Sequence, residues 1–66
     1  METKYPEIEV QLTGQDGNAM YIIGKVHRAL FKAGVSKAER DRFIEEAHSG
    51  DYDNVLRTAM KWVDVS

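Results

Sequence analysis

The chain contains no cysteine, and this absence removes several classes of site at once. Disulfide cross-links, thiolate metal sites and a thiol nucleophile are excluded, so the usual supports of small secreted domains are missing and a reducing, cytoplasmic setting is expected. With 66 residues the sequence predicts a single small domain over residues 1–66. Its core must be thin, because a chain of this size buries only about 60% of the surface that it exposes when unfolded.

Long apolar runs and a strong charge of one sign are missing as well. No segment approaches the roughly 20 apolar residues of a membrane span, and the first residues lack the basic start and apolar stretch of a signal peptide. The formal charge is −2, so the molecule as a whole does not attract phosphate backbones. We therefore expect an unprocessed cytosolic protein without a membrane partner, and nucleic acid is not an expected partner either.

Signatures of catalysis and cofactor binding are also missing. Ser36, Ser49 and Ser66 lie outside any Gly-x-Ser-x-Gly elbow, and the glycine patterns of dinucleotide and P-loop sites do not occur. The two imidazoles, His27 and His48, match no metal motif. A place beside an apolar helix stripe suits His27, and a place in the last turn of a helix suits His48. The sequence thus predicts no enzyme, no cofactor and no metal site.

One strand is predicted near the start of the chain. Residues Glu7–Leu12 alternate strictly, which sends Ile8, Val10 and Leu12 to one face and the acidic and amide side chains to the other. Residues 1–6 before it are expected to form a flexible arm.

Three helices are predicted after this strand, because the spacing of apolar residues changes to three and four. The ranges are about 18–33, about 37–48, and from Asp51 or Asp53 to about Trp62. The side chains predicted to face the core are Ala19, Ile22, Ile23, Val26, Ala29, Leu30 and Ala33, then Ala38, Phe43, Ile44 and Ala47, then Tyr52, Val55, Leu56, Ala59, Met60 and Val63.

The junctions and the tail complete the predicted fold. Gly34 followed by Ser36 and Glu39 is typical of a helix end and a capping box, whereas Gly24 inside the first helix suggests a close crossing of backbones. Residues 62–66 alternate again and are expected to form a short C-terminal strand beside the first, with pairing between two chains as the alternative. The fold class is α+β: one N-terminal strand, three helices and this short terminal strand.

The aromatic residues indicate an interface. Tyr21, Phe31 and Trp62 fall partly outside the best core stripes of their helices, and exposed aromatics are enriched at interfaces. We predict that they bind a protein partner of unknown identity or a second copy in a homodimer. Packing of each in the core is the alternative, because so small a domain needs its large side chains.

Two polar features offer other interpretations. A turn that contains Thr13, Gly14, Asp16, Gly17 and Asn18 could aim free amides at a nucleotide-like anion, although these residue types favour a simple tight turn. A basic stripe also runs along the first helix, where it is either a solvated face or a contact for phosphate or an acidic protein. The stripe consists of Lys25, Arg28 and Lys32.

Several segments together resemble a known group of proteins. These are Ile8–Ala19, with its Thr-Gly-Gln-Asp-Gly-Asn turn, the Gly34–Ser36 joint, Ser49–Asp53 and Met60–Val65. The chain resembles, over almost its whole length, very short uncharacterised proteins encoded in bacterial genomes, prophages and phages. The resemblance implies an accessory, phage-derived setting and carries no catalytic residues. The predicted function is a non-enzymatic interaction or assembly module, with anionic-ligand binding at the 13–18 turn as the alternative.

Overall fold

The computed structural model describes residues 3–12 and 19–66 and confirms the predicted α+β order. Two strands and three helices follow one another along the described chain. They are β1 (Tyr5–Val10), α1 (Ala19–Lys32), α2 (Lys37–Ala47), α3 (Tyr52–Trp62) and β2 (Val63–Val65). The helix boundaries lie within about two residues of those expected from periodicity, which is the usual uncertainty of helix ends.

The two strands pair in parallel within one chain, so the first and last segments lie side by side. Glu9 is opposite Asp64 and Val10 is opposite Val65, with an irregular register between Tyr5 and Glu9. β1 begins at Tyr5, so part of the expected flexible arm belongs to the strand. The physical reason is that β2, which follows α3 directly, offers this segment a hydrogen-bonding partner.

The core lies between the sheet and the three helices. Its buried apolar side chains are Ile8, Val10, Ile22, Ile23, Val26, Leu30, Phe43, Ala47, Val55, Ala59, Trp62 and Val63. Most of the predicted core is therefore confirmed. Ala33 and Ala38 were wrongly assigned to it: both are exposed, the first just beyond α1 and the second in the first turn of α2.

The third helix is rotated relative to the predicted stripe. Its buried residues are Val55, Thr58, Ala59 and Trp62, whereas Met60 is 52% exposed. At about 100° per residue, this places the buried arc roughly 80° away from the predicted one. Tyr52 and Met60, both expected in the core, are therefore exposed.

Gly34 ends α1 in the way that the sequence predicts. Its φ angle is 88°, in the left-handed region that favours glycine. Its amide donates to the carbonyl of Phe31 at 3.1 Å, and the amide of Val35 donates to the carbonyl of Leu30 at 3.0 Å. These two bonds form a Schellman motif, which satisfies carbonyls that the end of a helix leaves unpaired.

Ser36 caps α2, but Glu39 does not complete the capping box. The Ser36 hydroxyl accepts a bond from the Glu39 amide at 3.3 Å, as predicted. The Glu39 carboxylate contacts Lys4 and accepts a bond of 3.2 Å from the Tyr5 hydroxyl. Glu39 therefore connects α2 to the start of β1, a long-range role that its local sequence pattern does not reveal.

Asp51 caps α3, and Asn54 joins this helix to the end of α2. The Asp51 carboxylate accepts a bond of 3.1 Å from the Asn54 amide. The Asn54 side chain donates to the carbonyls of Glu46 at 2.9 Å and Ala47 at 3.3 Å. One asparagine thus satisfies terminal carbonyls of the preceding helix and holds the two helices together.

The expectation of a close crossing of backbones at Gly24 was wrong. A Cβ atom built on Gly24 would meet no atom within 4 Å apart from its chain neighbours and the nearby backbone of its own helix, so no described part of this chain crosses closely at this point. The glycine lies on the exposed side of α1, away from the core. Nothing in the described fold requires glycine there, although glycine inside a helix destabilises it by about 0.5–1 kcal/mol relative to alanine.

We expect Gly24→Ala to raise the free energy of unfolding by about 0.5–1 kcal/mol, because alanine loses less backbone freedom on folding and its methyl group enters open space. Urea denaturation followed by circular dichroism measures the change. Gly34→Ala is the matched control. It should lower the free energy of unfolding by about 1–2 kcal/mol, because its φ of 88° is strained for alanine. Destabilisation by Gly24→Ala would contradict this account of α1.

Candidate protein-interaction surface

The outward side of α1 carries three of the five large apolar residues that are exposed in the described chain. Met20 is 64%, Phe31 61% and Tyr21 45% exposed. We define the α1 outer face by these residues and by the glycine and cations between them. It comprises Met20, Tyr21, Gly24, Lys25, Arg28, Phe31 and Lys32.

Helical geometry explains why these residues share one face. At about 100° per residue they occupy an arc of roughly 140°, with Met20 and Phe31 at one edge and Lys25 at the other. The opposite arc is filled by the four buried residues of the helix, Ile22, Ile23, Val26 and Leu30. Because the core of the described residues uses that arc, the two aromatic residues of α1 lie outside this core.

The exposure of Tyr21 and Phe31 agrees with their placement from sequence outside the core stripe. A surface concavity of about 400 Å³ lies beside Tyr21, and the missing side chain of Gly24 opens it. Met20, Lys25 and Arg28 form its remaining walls. The α1 outer face is therefore an apolar and aromatic surface with a hollow at its centre and cations along one edge.

A cation holds Phe31 in place on this surface. The guanidinium carbon of Arg40 lies 4.9 Å from the centre of the Phe31 ring, a cation–π distance. The Arg40 Nε donates to the carbonyl of Val35 at 3.1 Å, and its Nη1 lies 3.5 Å from Nε2 of His27. Arg40 therefore fixes the ring against the α1–α2 junction, and His27 is half-buried beside the apolar stripe of α1, as the sequence suggested.

The basic stripe of α1 is exposed along its length except where Lys25 is engaged. The Lys25 ammonium donates to the carbonyl of Gln11 at 2.6 Å, beyond the end of β1, and lies 5.8 Å from the centre of the Tyr21 ring. Arg28 and Lys32 are exposed and make no ion pair with another described residue. Both remain available to an external anionic group.

Trp62 is a core residue, so its assignment to the binding surface was wrong. Only 3% of it is exposed, and its ring lies 6.0 Å from Tyr5 and 5.7 Å from Phe43 between centroids. Its indole N–H donates to the Glu46 carboxylate at 2.7 Å, which satisfies the one polar group of the side chain. The Lys4 ammonium lies 4.3 Å from the centre of its ring. The rotation of α3 turned this ring inward.

Ionisable groups around Lys4 tie β1 to α2. The ion-paired hydrogen bond from Lys4 lowers the pKa of the Glu39 carboxyl, with further lowering by Tyr5 and Arg42 against the opposing effect of desolvation. Desolvation raises the pKa of Tyr5, and its hydrogen bond to Glu39 adds to the effect. The charges therefore favour an ionised Glu39 and a protonated Tyr5, the forms that hydrogen-bond each other.

The remaining candidates from the sequence are the anion-binding turn, His48 and a metal site. The predicted anion-binding turn, with Thr13, Gly14, Asp16, Gly17 and Asn18, lies outside the described residues. His48 is the C-cap of α2, in agreement with its expected place. Within residues 3–12 and 19–66, no group of three or more histidines and carboxylates is arranged to hold a metal ion.

Comparisons of the chain with protein-family models, curated proteins and solved structures found no match. No helix in the described part of the chain has the length and apolar character needed to cross a bilayer. The α1 outer face therefore has to be interpreted from its own chemistry.

We expect Trp62→Ala to lower the free energy of unfolding by about 3–5 kcal/mol, because it removes a large buried ring and leaves a cavity beside Phe43. Phe31→Ala is the control, since it removes a ring of comparable type from an exposed site. Its effect on the free energy of unfolding should be much smaller. Equal destabilisation by the two substitutions in urea denaturation would contradict the distinction between core and surface aromatics.

We expect acid to weaken the fold partly through Glu39. Its folded-state pKa lies below the ordinary value of 4.5, so its contribution is complete above that pH and is lost as the pH falls through the lowered pKa. Glu39→Gln should therefore lower stability at neutral pH and reduce the loss of stability below pH 4.5. Glu45→Gln, in the same helix but outside any ion pair of the described residues, is the control. Identical acid profiles for wild type and Glu39→Gln would contradict this role.

Proposed function

We propose that this protein is a non-enzymatic protein-interaction or assembly module that binds a protein through the α1 outer face, with Tyr21 and Phe31 as the principal contacts. The observation that carries the proposal is the clustering of exposed apolar side chains. Met20, Tyr21 and Phe31 are three of the five large apolar residues that are exposed in the described chain, and all three lie on this one face. Clustered exposed apolar residues with a polar rim are typical of interaction sites.

Phe31 has the most to gain energetically from contact with a partner. Full burial of a phenylalanine side chain is worth about 1.5–3 kcal/mol, and 61% of Phe31 is accessible to a partner. Arg40 already restrains the ring, so a partner loses less conformational entropy when it binds. An aromatic residue that is restrained before binding has the properties of an interface anchor.

Gly24 supports the same surface. The described fold does not need a glycine there, whereas a partner that approaches the backbone of α1 would. The concavity at Gly24 would accept a side chain or a backbone segment of that partner. Gly24→Ala therefore combines a more stable fold with a partly filled binding surface.

The non-enzymatic part of the proposal is supported by the structural use of the polar side chains. Ser36 and Asp51 cap helices, Asn54 joins α2 to α3, and Glu46 accepts the indole N–H of Trp62. Every buried polar side-chain atom of the described residues has a hydrogen-bond partner. These four polar side chains and the buried polar atoms are thus occupied in holding the fold.

The setting of this function is also part of the proposal. The resemblance to very short proteins of bacterial genomes, prophages and phages suggests an accessory role of phage origin. The lack of cysteine fits a reducing cytoplasm.

We expect Phe31→Ala to weaken capture of the protein partner at least about tenfold, since truncating an interface anchor costs about 2 kcal/mol or more and about 1.4 kcal/mol corresponds to tenfold. Immobilised wild type and variants would be exposed to an extract of the cell that encodes the protein, and the retained proteins quantified by mass spectrometry. Met60→Ala is the matched control, because it removes an apolar side chain of similar exposure from α3. A partner retained equally by wild type and both variants would show that binding uses another surface.

A further inference from the structure

Charge is divided between α1 and the rest of the chain. α1 contains Lys25, Arg28 and Lys32 and no carboxylate. The whole chain has a formal charge of −2, so the residues outside α1 carry −5, which is −2 minus +3. A molecule with one basic face and a net negative charge elsewhere is complementary to a second copy of itself in a head-to-tail arrangement.

The solvent side of the sheet provides the acidic counterpart. Glu7, Glu9 and Asp64 are all exposed, because the alternate residues Ile8 and Val10 face the core. No ion pair joins these three carboxylates to a cation of the described residues. We call Glu7, Glu9 and Asp64 the acidic strand face.

The acidic strand face also contains an unfavourable pair. Glu9 on β1 is directly opposite Asp64 on β2. Like charges opposite each other on neighbouring strands destabilise a sheet. A cation supplied from outside the chain would remove that repulsion, so this surface gains from an external basic partner.

The spacing of the two faces matches. Arg28 and Lys32 are one helical turn apart, which gives a rise of about 6 Å along α1. Glu7 and Glu9 are two residues apart on β1, or about 7 Å. Two parallel ion pairs can therefore form when α1 of one copy lies along β1 of another.

We propose that the occupant of the α1 outer face is a second copy of this chain, docked through its acidic strand face. Arg28 and Lys32 of one copy pair with Glu7 and Glu9 of the next. Phe31 is covered at the interface between the two copies. This inference rests on the proposed function, because it names the partner of the same surface. The contact is heterologous, so a pair of copies keeps one basic and one acidic face free and the assembly grows into a ring or a filament.

Symmetric contacts are disfavoured by the same charges. Two α1 outer faces brought together would oppose Arg28 and Lys32 to the same residues of the other copy. Two acidic strand faces brought together would oppose Glu7 and Glu9 to the same carboxylates of the other copy. Both arrangements place like charges across an interface, which costs binding free energy.

The inference is tested with the purified full chain and two nearly isosteric double variants. Arg28→Gln/Lys32→Gln neutralises the basic face, and Glu7→Gln/Glu9→Gln neutralises the acidic strand face. Sedimentation velocity over a range of protein concentrations measures self-association. Wild type should self-associate, and raising the salt concentration from about 0.02 M to about 0.5 M should weaken this, because exposed ion pairs are screened. Each double variant alone should self-associate at least about tenfold more weakly.

The mixture of the two variants is the decisive sample. Each retains one intact face, so a one-to-one mixture should form heterodimers that do not grow further. Glu45→Gln/Asp53→Asn, which changes the net charge as much as the strand-face variant but on other elements, should associate like wild type. Three results would each overturn the inference. They are a wild type that stays monomeric at high concentration, an Arg28→Gln/Lys32→Gln variant that associates more strongly than wild type, and a mixture that forms no complex. The capture experiment with Phe31→Ala tests the proposed function separately, because a foreign partner can be retained by a monomeric protein.

Discussion

Parallel pairing of the first and last segments is the constraint on which the rest of this structure depends. Two strands joined by a tight turn are antiparallel, whereas parallel strands need a long crossover connection. Because β1 and β2 are parallel, the chain between them must cross over, and the three helices form this connection. The helices cover the inner side of the sheet, where Ile8, Val10 and Val63 are buried. The outer side is left to solvent, and that division produces the acidic strand face.

The same constraint explains the position of Trp62. β2 starts at the residue that follows it, so the ring is carried beneath β1 and stacks with Tyr5. The Lys4 ammonium lies over the Trp62 ring and forms an ion pair with the Glu39 carboxylate. The buried rings of Trp62 and Phe43 fill a thin core, which leaves Phe31, on the far side of α1, exposed to solvent.

Local signals in the sequence were sufficient for much of the fold and for part of the candidate surface. The left-handed Gly34, the Ser36 cap and the Asp51 cap depend on neighbouring residues only, so they could be predicted. The exposure of Tyr21 and Phe31 followed from strong periodicity in α1. The apolar pattern of α3 was ambiguous, because residues flanking its stripe on both sides are apolar or small, and only contact with the other elements selected the arc that contains Trp62 rather than Met60.

The sequence by itself determined the α+β class, the order of the elements and the helix caps, because these depend on periodicity and turn chemistry within a few residues. Only the tertiary structure decided the parallel register, the inward rotation of Trp62 and the recruitment of Glu39 by Lys4 and Tyr5. It also decided that Gly24 lies at open surface instead of a crossing of backbones. These features depend on how residues far apart in the chain pack around one small, dense core. Local sequence patterns do not determine that packing.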